Sequence, residues 1–356
     1  MTNAKIEARR KQPRHFCIHH SEFCIGLVRS FITGITGFAG AFLAEHLLAL
    51  GHEVAGCSRR GEWSPDVPPA VRAVPVARWE IGGGDDRAVA EALFRFAPDW
   101  VFHLAAIAVP EDCGIDQPTP HAFAVNVLGT ANLLNLVANL PARPRVLLAS
   151  TSHVYAPVTA ETFVVAEDDP TRPSSAYGVT KLAAEMVALG MKQAADDLSK
   201  RGTTSGAIFD FANLDLVIAR AFQHTGPRQD ARLMLPSWAK QFAEGADPLH
   251  VLNLETYLDL TDVRDTVRAY ALLAERGRRG TIYNVGSGRR VRTGEVFEQL
   301  RRQADPRRRV VELNPGPKQN WIADTRRLVA RTGWTPQIPL EQTIADTLAY
   351  WRNKLA

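Results

Sequence analysis

The stretch Thr33-Gly34-Ile35-Thr36-Gly37-Phe38-Ala39-Gly40 decides how this chain is read. An apolar run ends at Thr33, three glycines follow at intervals of three, and residues 38–50 carry the spacing of an amphipathic helix that Gly51 stops. Strand, glycine turn and helix in that order build an anion site. Glycine permits the tight turn and lets backbone approach a pyrophosphate, while the first helical amides and the helix dipole face the negative charge. Gly34, Thr36, Gly37, Phe38, Ala39 and Gly40 are therefore candidate contacts to a dinucleotide.

Working outward, the alternation repeats. Strands are expected at residues 53–57, 71–76 and 100–103, with a helix over 87–96 between the last two. A helix over 121–140, a strand over 145–150, a long helix from about 174 and a strand over 214–219 follow, with 196–213 read as a loop or insertion. Strands alternating with helices predict an α/β fold, a doubly wound parallel sheet of Rossmann type. After Arg220 the rhythm changes: Pro227, Pro236 and Pro248 break the chain, a further strand ends at Gly286, and residues 340–351 read as an amphipathic helix. The expected organisation is a basic, disordered extension over 1–29, a dinucleotide-binding domain over 30–220 that also receives about 262–285, and a smaller C-terminal substrate-binding lobe from 221–261 and 286–356.

Composition narrows the class. The 356 residues are 46% hydrophobic and 22% charged, the balance of a globular chain with a full core. Residues 1–30 hold six of the 42 basic groups and two of the 38 acids, so the rest of the chain is electrically balanced. No basic face remains to bind nucleic acid, and no uninterrupted apolar run is long enough for a membrane span. Cys17, Cys24, Cys57 and Cys113 are scattered, which fits a reducing cytoplasm better than a disulfide framework. Cys17 and Cys24 lie among histidines, but their spacing exceeds that of a zinc finger, and no metal is expected.

The second strand ends in Gly56-Cys57-Ser58-Arg59-Arg60, with no acid to accept from the ribose 2′-hydroxyl of NAD. Arginine suits a 2′-phosphate, so Ser58, Arg59 and Arg60 point to NADP, with NAD as the alternative. Tyr177 and Lys181 stand four apart at the start of a helix and share a face, where the ammonium is expected to draw the phenol toward the range of a general acid. The strand over 145–150 runs into Ser150-Thr151-Ser152-His153, and strand carboxyl ends line the ligand crevice of a doubly wound sheet. The Thr151 hydroxyl is placed to polarise a carbonyl there.

The glycine turn, His103-Leu104-Ala105-Ala106, Asn126-Val127-Leu128-Gly129-Thr130, the Thr151 segment and Tyr177-Gly178-Val179-Thr180-Lys181 occur in the order found in the extended short-chain dehydrogenase/reductase family, also called the NAD-dependent epimerase/dehydratase family, which the chain resembles from about residue 30 to 352. Within it, the segments 219–227, 235–237, 260–265 and 283–288 are most similar to the GDP-4-keto-6-deoxymannose reductases and their relatives, the GDP-mannose 4,6-dehydratases. The resemblance implies hydride transfer to a sugar C4, Tyr177 protonating the oxygen, Thr151 binding it, Lys181 holding the nicotinamide ribose and Asn126 supporting the proton relay. It adds Leu104, Ala105, Ala106, Tyr177 and Lys181 to the cofactor contacts, and places Gln223, His224, Arg228, Leu235 and Tyr257 on the substrate side.

Departures from the pattern refine the expectation. A dehydratase carries a carboxylate two residues after the threonine, where this chain has His153, itself a candidate acid or base. Gln223 stands for an asparagine, and Leu258 and Asn314 stand where relatives place diphosphate-clamping arginines. Arg228, Arg232, Arg289 or Lys318 are the candidates to supply that charge. The expected activity is reduction of a nucleotide-linked 4-keto-6-deoxy sugar. The alternatives are an epimerase or dehydratase that recycles its cofactor, and a non-enzymatic NADP-sensing protein. A homodimer is expected to form through helices 121–140 and 174–193.

Overall fold

Side chains on a strand alternate between faces, and here both faces are buried, as in a parallel sheet covered on two sides. In the computed structural model, which describes residues 27–158, 163–200 and 214–356, Phe31 and Ile32 of β1 (Arg29–Thr33) enter different cores, as do Val101 and Phe102 of β4 (Trp100–His103). The remaining strands of the main sheet are β2 (Glu53–Ser58), β3 (Val76–Arg78), β5 (Arg145–Thr151), β6 (Asp215–Ala221) and β7 (Thr281–Val285). All seven pair in parallel in the order β7-β6-β5-β4-β1-β2-β3. The order reverses between β1 and β4, which opens a crevice at their carboxyl ends.

One core contains residues of α1 (Phe38–Ala49) and α5 (Val263–Arg276); the other contains residues of α2 (Arg87–Phe96), α3 (Pro120–Ala138) and α4 (Ala176–Lys200). Helix α1 is not the expected amphipathic helix. Gly40 to Ala44 are buried in succession, because the helix is enclosed between the sheet and α5 and has little solvent face. The strand expected over 71–76 is displaced: Pro69 opens a helical turn, Pro69–Arg72, and extended chain begins only at Val76. The segment 196–200, expected as loop, continues α4, and 201–213 lie outside the described residues. So does 1–26 of the basic extension, while Arg29 opens β1. Helix α3 is long and apolar enough to cross a membrane by length and composition, yet it packs on the sheet through Leu133, Leu134 and Val137.

A third core lies in the C-terminal part of the chain, where Leu235, Trp238, Leu249, Leu258, Leu260, Phe297, Ile344 and Trp351 meet. Its central strand, Thr256–Asp262, pairs with Arg290–Arg292, Lys318–Gln319 and Gln223–Thr225. Leu258 and Leu260 join this core, whereas Asp259 faces the other way and accepts from the amides of Ser287, Gly288 and Ala323.

Candidate active site

The glycine turn is held by backbone. Gly34 adopts φ +70°, and a Cβ there would lie 2.9 Å from Ala105 Cα; at Gly40 it would lie 2.3 Å from the Gly34 carbonyl. Only glycine fits either place. The amides of Gly34 and Ile35 donate to Cys57 O at 2.8 and 3.2 Å, which ties the turn to the end of β2. There the Ser58 hydroxyl accepts from Gly61 N at 3.1 Å, and the exposed Arg59 and Arg60 form no ion pair among the described residues. On the β4 side, Ala105 N donates to Thr33 Oγ1 at 3.2 Å, and buried His103 bridges Thr33 Oγ1 at 2.7 Å and Thr130 Oγ1 at 3.0 Å. Burial takes His103 down to about 3, with Lys181 adding to the shift, so the imidazole is neutral and structural.

Thr151 closes β5, and Tyr177 and Lys181 stand one turn apart at the start of α4. All three line a cleft of about 400 Å³ with His153, between Phe38, Ala39, Leu104 and Ala106 on the glycine side and Gln223, His224 and Leu235 opposite. The Tyr177 ring meets His153 edge-on at 5.5 Å between centroids, and His153 in turn meets Trp321 at 5.4 Å. Burial lowers the pKa of both His153 and His224. Phe38 stacks on His224 at 6.0 Å, joining α1 to the far wall.

The electrostatics correct one expectation. Tyr177 is pushed up to about 12 by burial, against a hydrogen bond with Thr151, and Lys181 does not pull it toward neutral pH. The ammonium shares the desolvated pocket and is itself drawn down to about 8, with Glu185 opposing the fall. The pair therefore rests as neutral phenol beside a marginal ammonium, a proton donor with an adjacent charge to steady the phenolate it leaves.

Not every expected residue reaches the cleft. Asn126 is spent on scaffolding: its oxygen accepts from Ile107 N at 2.8 Å, and its nitrogen donates to Ile107 O at 3.1 Å and Thr180 Oγ1 at 2.9 Å. It ties the segment after β4 to α4 beside Lys181. Arg228 lies over the Phe42 ring at 3.8 Å and pairs with Glu45 at 2.5 Å, and it is not among the residues that line the cleft. Tyr257 projects opposite to Leu258, with the Arg290 guanidinium 3.7 Å over its ring.

Ser152 in the cleft and the Arg220–Glu185 pair below it escaped the sequence reading. Ser152 and Gln223 line the cleft, and their Oγ and Oε1 atoms are buried without a hydrogen-bond partner among the described residues. Gln223 was expected there, whereas Ser152 had no signal beyond its place in the strand-end run. Below the cleft, Arg220 Nη2 and Nε donate to Glu185 at 2.8 to 3.2 Å, Arg220 Nη1 donates to Glu167 O at 3.0 Å, and the Ser150 hydroxyl donates to Glu185. Both partners are buried, at 3% and 1% exposure.

The model of the NAD dependent epimerase/dehydratase family matches residues 30–286. The chain belongs to that family. Its members are NAD(P)-dependent oxidoreductases, epimerases and dehydratases, so the chain is of an enzyme family. Among curated proteins it is 29% identical to GDP-6-deoxy-D-mannose reductase of Pseudomonas aeruginosa over 92% of this chain and 98% of the relative. It is 28% identical to UDP-glucose 4-epimerase of Mycolicibacterium smegmatis over 92% and 99%. Among solved structures, RMD from Pseudomonas aeruginosa complexed with NADPH superposes with a TM-score of 0.74 at 27% identity, covering 92% of this chain and 99% of that one. The family thus accounts for the seven-stranded Rossmann-type sheet and for a glycine turn built to meet a dinucleotide.

Proposed function

We propose that this chain is an NADP-dependent reductase of a nucleotide-linked 4-keto-6-deoxy sugar. The observation that carries the reading is the convergence of Thr151, Tyr177 and Lys181 in one cleft beside the glycine turn; the similarity to a GDP-6-deoxy-D-mannose reductase supports the substrate. Gly34, Gly37 and Gly40 form the cradle for the dinucleotide, whose nicotinamide supplies a hydride when bound. The chain's own work is at the oxygen. Thr151 donates a hydrogen bond to the carbonyl, Tyr177 delivers its proton as negative charge develops there, and Lys181 stabilises the phenolate and holds a ribose hydroxyl. His153, neutral and packed edge-on to Tyr177, replaces the carboxylate a dehydratase needs.

The test is stoichiometry. With a 4-keto-6-deoxy nucleotide sugar, one NADPH is expected to be oxidised per product formed; turnover without net oxidation would instead identify an epimerase or dehydratase. Arg59 and Arg60, exposed at the end of β2 with no ion pair among the described residues, support NADP over NAD. Replacing both with glutamate is expected to cut the preference for NADPH over NADH by about 10- to 100-fold, read from kcat/KM with each cofactor. Gly34→Val is expected to abolish the thermal stabilisation by NADPH, since the added carbons meet Ala105 backbone at a positive φ.

We further propose a homodimer. Phe123 and Leu128 on α3 and Val179 and Met186 on α4 are exposed on two packed helices, the composition of a helical interface. A monomeric mass at micromolar concentration contradicts it. A cytoplasmic setting is in keeping with Cys57 and Cys113 as buried free thiols.

A further inference from the structure

Tyr177, Lys181 and Glu185 stand at intervals of four on α4 and form one stripe of the helix. The first two line the cleft, whereas Glu185 is buried and outside its lining. A carboxylate taken out of water is costly unless it is paired, and this one is held from two strands. The Ser150 hydroxyl donates to it from β5, one residue before Thr151. Arg220 Nε and Nη2 donate to it at 2.8 to 3.2 Å from β6, one residue before Ala221 of the cleft wall. Arg220 is fixed in turn by the Glu167 carbonyl at 3.0 Å and the Tyr155 ring at 4.9 Å. One carboxylate thus fastens the helix that carries Tyr177 and Lys181 to the strand ends that carry Thr151 and the far wall.

Glu185 also stands one turn from the charge of the site, since Lys181 shares its stripe and is likewise buried. The other titratable groups about Lys181 are Tyr177 on its own helix, His103 of β4, Cys113 after β4, His153 after β5 and Tyr270 of α5. Burial leaves each of them uncharged near neutral pH. It pushes Tyr177 up to about 12, Cys113 up to about 11 and Tyr270 upward as well, and it takes both histidines down. Asp230 also lines the cleft but is paired with Arg232 at 3.0 Å. Glu185 is therefore the charged carboxylate that acts on Lys181 among the described residues, and it opposes loss of the ammonium's proton.

We infer that Glu185 is a positioning residue for this reaction: without touching substrate or cofactor, its carboxylate keeps Lys181 charged and locks α4 to the ends of β5 and β6, so that Tyr177, Lys181 and Thr151 meet in one cleft. The inference rests on the reductase reading and adds to it the group that keeps its catalytic set in order. Glu185 acts through Lys181 in charge and through Ser150 and Arg220 in place.

Single-turnover reduction and NADPH affinity, each followed across the alkaline range in the full chain, test this. Glu185→Gln keeps the shape and loses the charge. Its alkaline limb is expected about one pH unit below that of the wild type in both profiles, and its rate near neutral pH about tenfold or more lower. Glu185→Asp keeps the charge on a shorter stem, so its limb is expected to return to within about 0.3 pH of the wild type while its rate recovers only in part. A limb as low as that of Glu185→Gln counts against the inference. A carboxylate that only supports the fold would lower Tm and leave the limb in place. A folded Glu185→Gln protein with the wild-type limb therefore overturns the inference whatever its rate. Where Glu185→Gln does not fold, the double change Arg220→Met with Glu185→Leu, which removes both buried charges together, is read in its place against the same outcomes. A wild type that oxidises no NADPH with a 4-keto-6-deoxy nucleotide sugar counts against the reductase reading alone, because the NADPH-affinity profile needs no substrate and still decides on Glu185.

Discussion

Tyr177→Phe is expected to lower kcat by about 1000-fold, the scale of a lost general acid, while NADPH affinity and Tm stay close to wild type. The substitution deletes one oxygen. The ring packs against Cys113, Ala122 and Ala176 and edge-on to His153, and phenylalanine fills the same space. What disappears is the proton that would reach the substrate oxygen. A single-turnover rate reads the chemical step directly, and a loss below about tenfold would show that another group donates.

The same site sets a pH dependence. Lys181 is drawn down to about 8 from an ordinary value of 10.5, so its ammonium is present below that pH and lost as pH rises through it. Because Lys181 supports the phenolate and the ribose, kcat/KM is expected to fall on the alkaline side with an apparent pKa near 8. Tyr177, pushed up to about 12, stays protonated across that window. An alkaline limb that survives Lys181→Met would contradict the assignment.

Arg220→Met is expected to destabilise the fold by about 3–5 kcal/mol, because it strands a buried carboxylate at Glu185. Three bonds of 2.8 to 3.2 Å join the two side chains, and Ser150 at the end of β5 donates to the same carboxylate. Loss of the guanidinium leaves Glu185 charged and buried without its ion-pair partner, with the Ser150 hydroxyl still bonded to it, or forces it to take up a proton. The double change Arg220→Met with Glu185→Leu is expected to recover much of the loss, since packed apolar residues often replace a buried pair without penalty. Chemical denaturation of the three variants measures it. A single change costing less than about 1 kcal/mol would mean that solvent reaches the pair.

How much of this was legible in the sequence follows from the range of the forces involved. The glycine turn, β5 and the Tyr177–Lys181 turn depend on local backbone geometry, and their residues declare it. The direction of the Tyr177 shift does not, because it is set by burial from distant segments that outweighs a neighbour four residues away. Arg228 and Tyr257 look like ligands in the linear chain, but Glu45 and Arg290, far from them in sequence, claim their side chains. The Glu185–Arg220 pair was likewise hidden, since a charge on a helix reads as solvated until the fold buries it. Helix α1 misled for a related reason: enclosure on both sides erases the polar stripe by which an amphipathic helix is recognised.

Tyr177, Thr151 and Lys181 are proposed to serve a reduction at a sugar carbonyl. Turnover of a 4-keto-6-deoxy nucleotide sugar with NADPH deuterated at the transferable position, followed by NMR of the product, addresses it most directly. One deuterium at sugar C4 for every NADPH consumed is the predicted result; a product free of deuterium, with the label still on the cofactor, would contradict it.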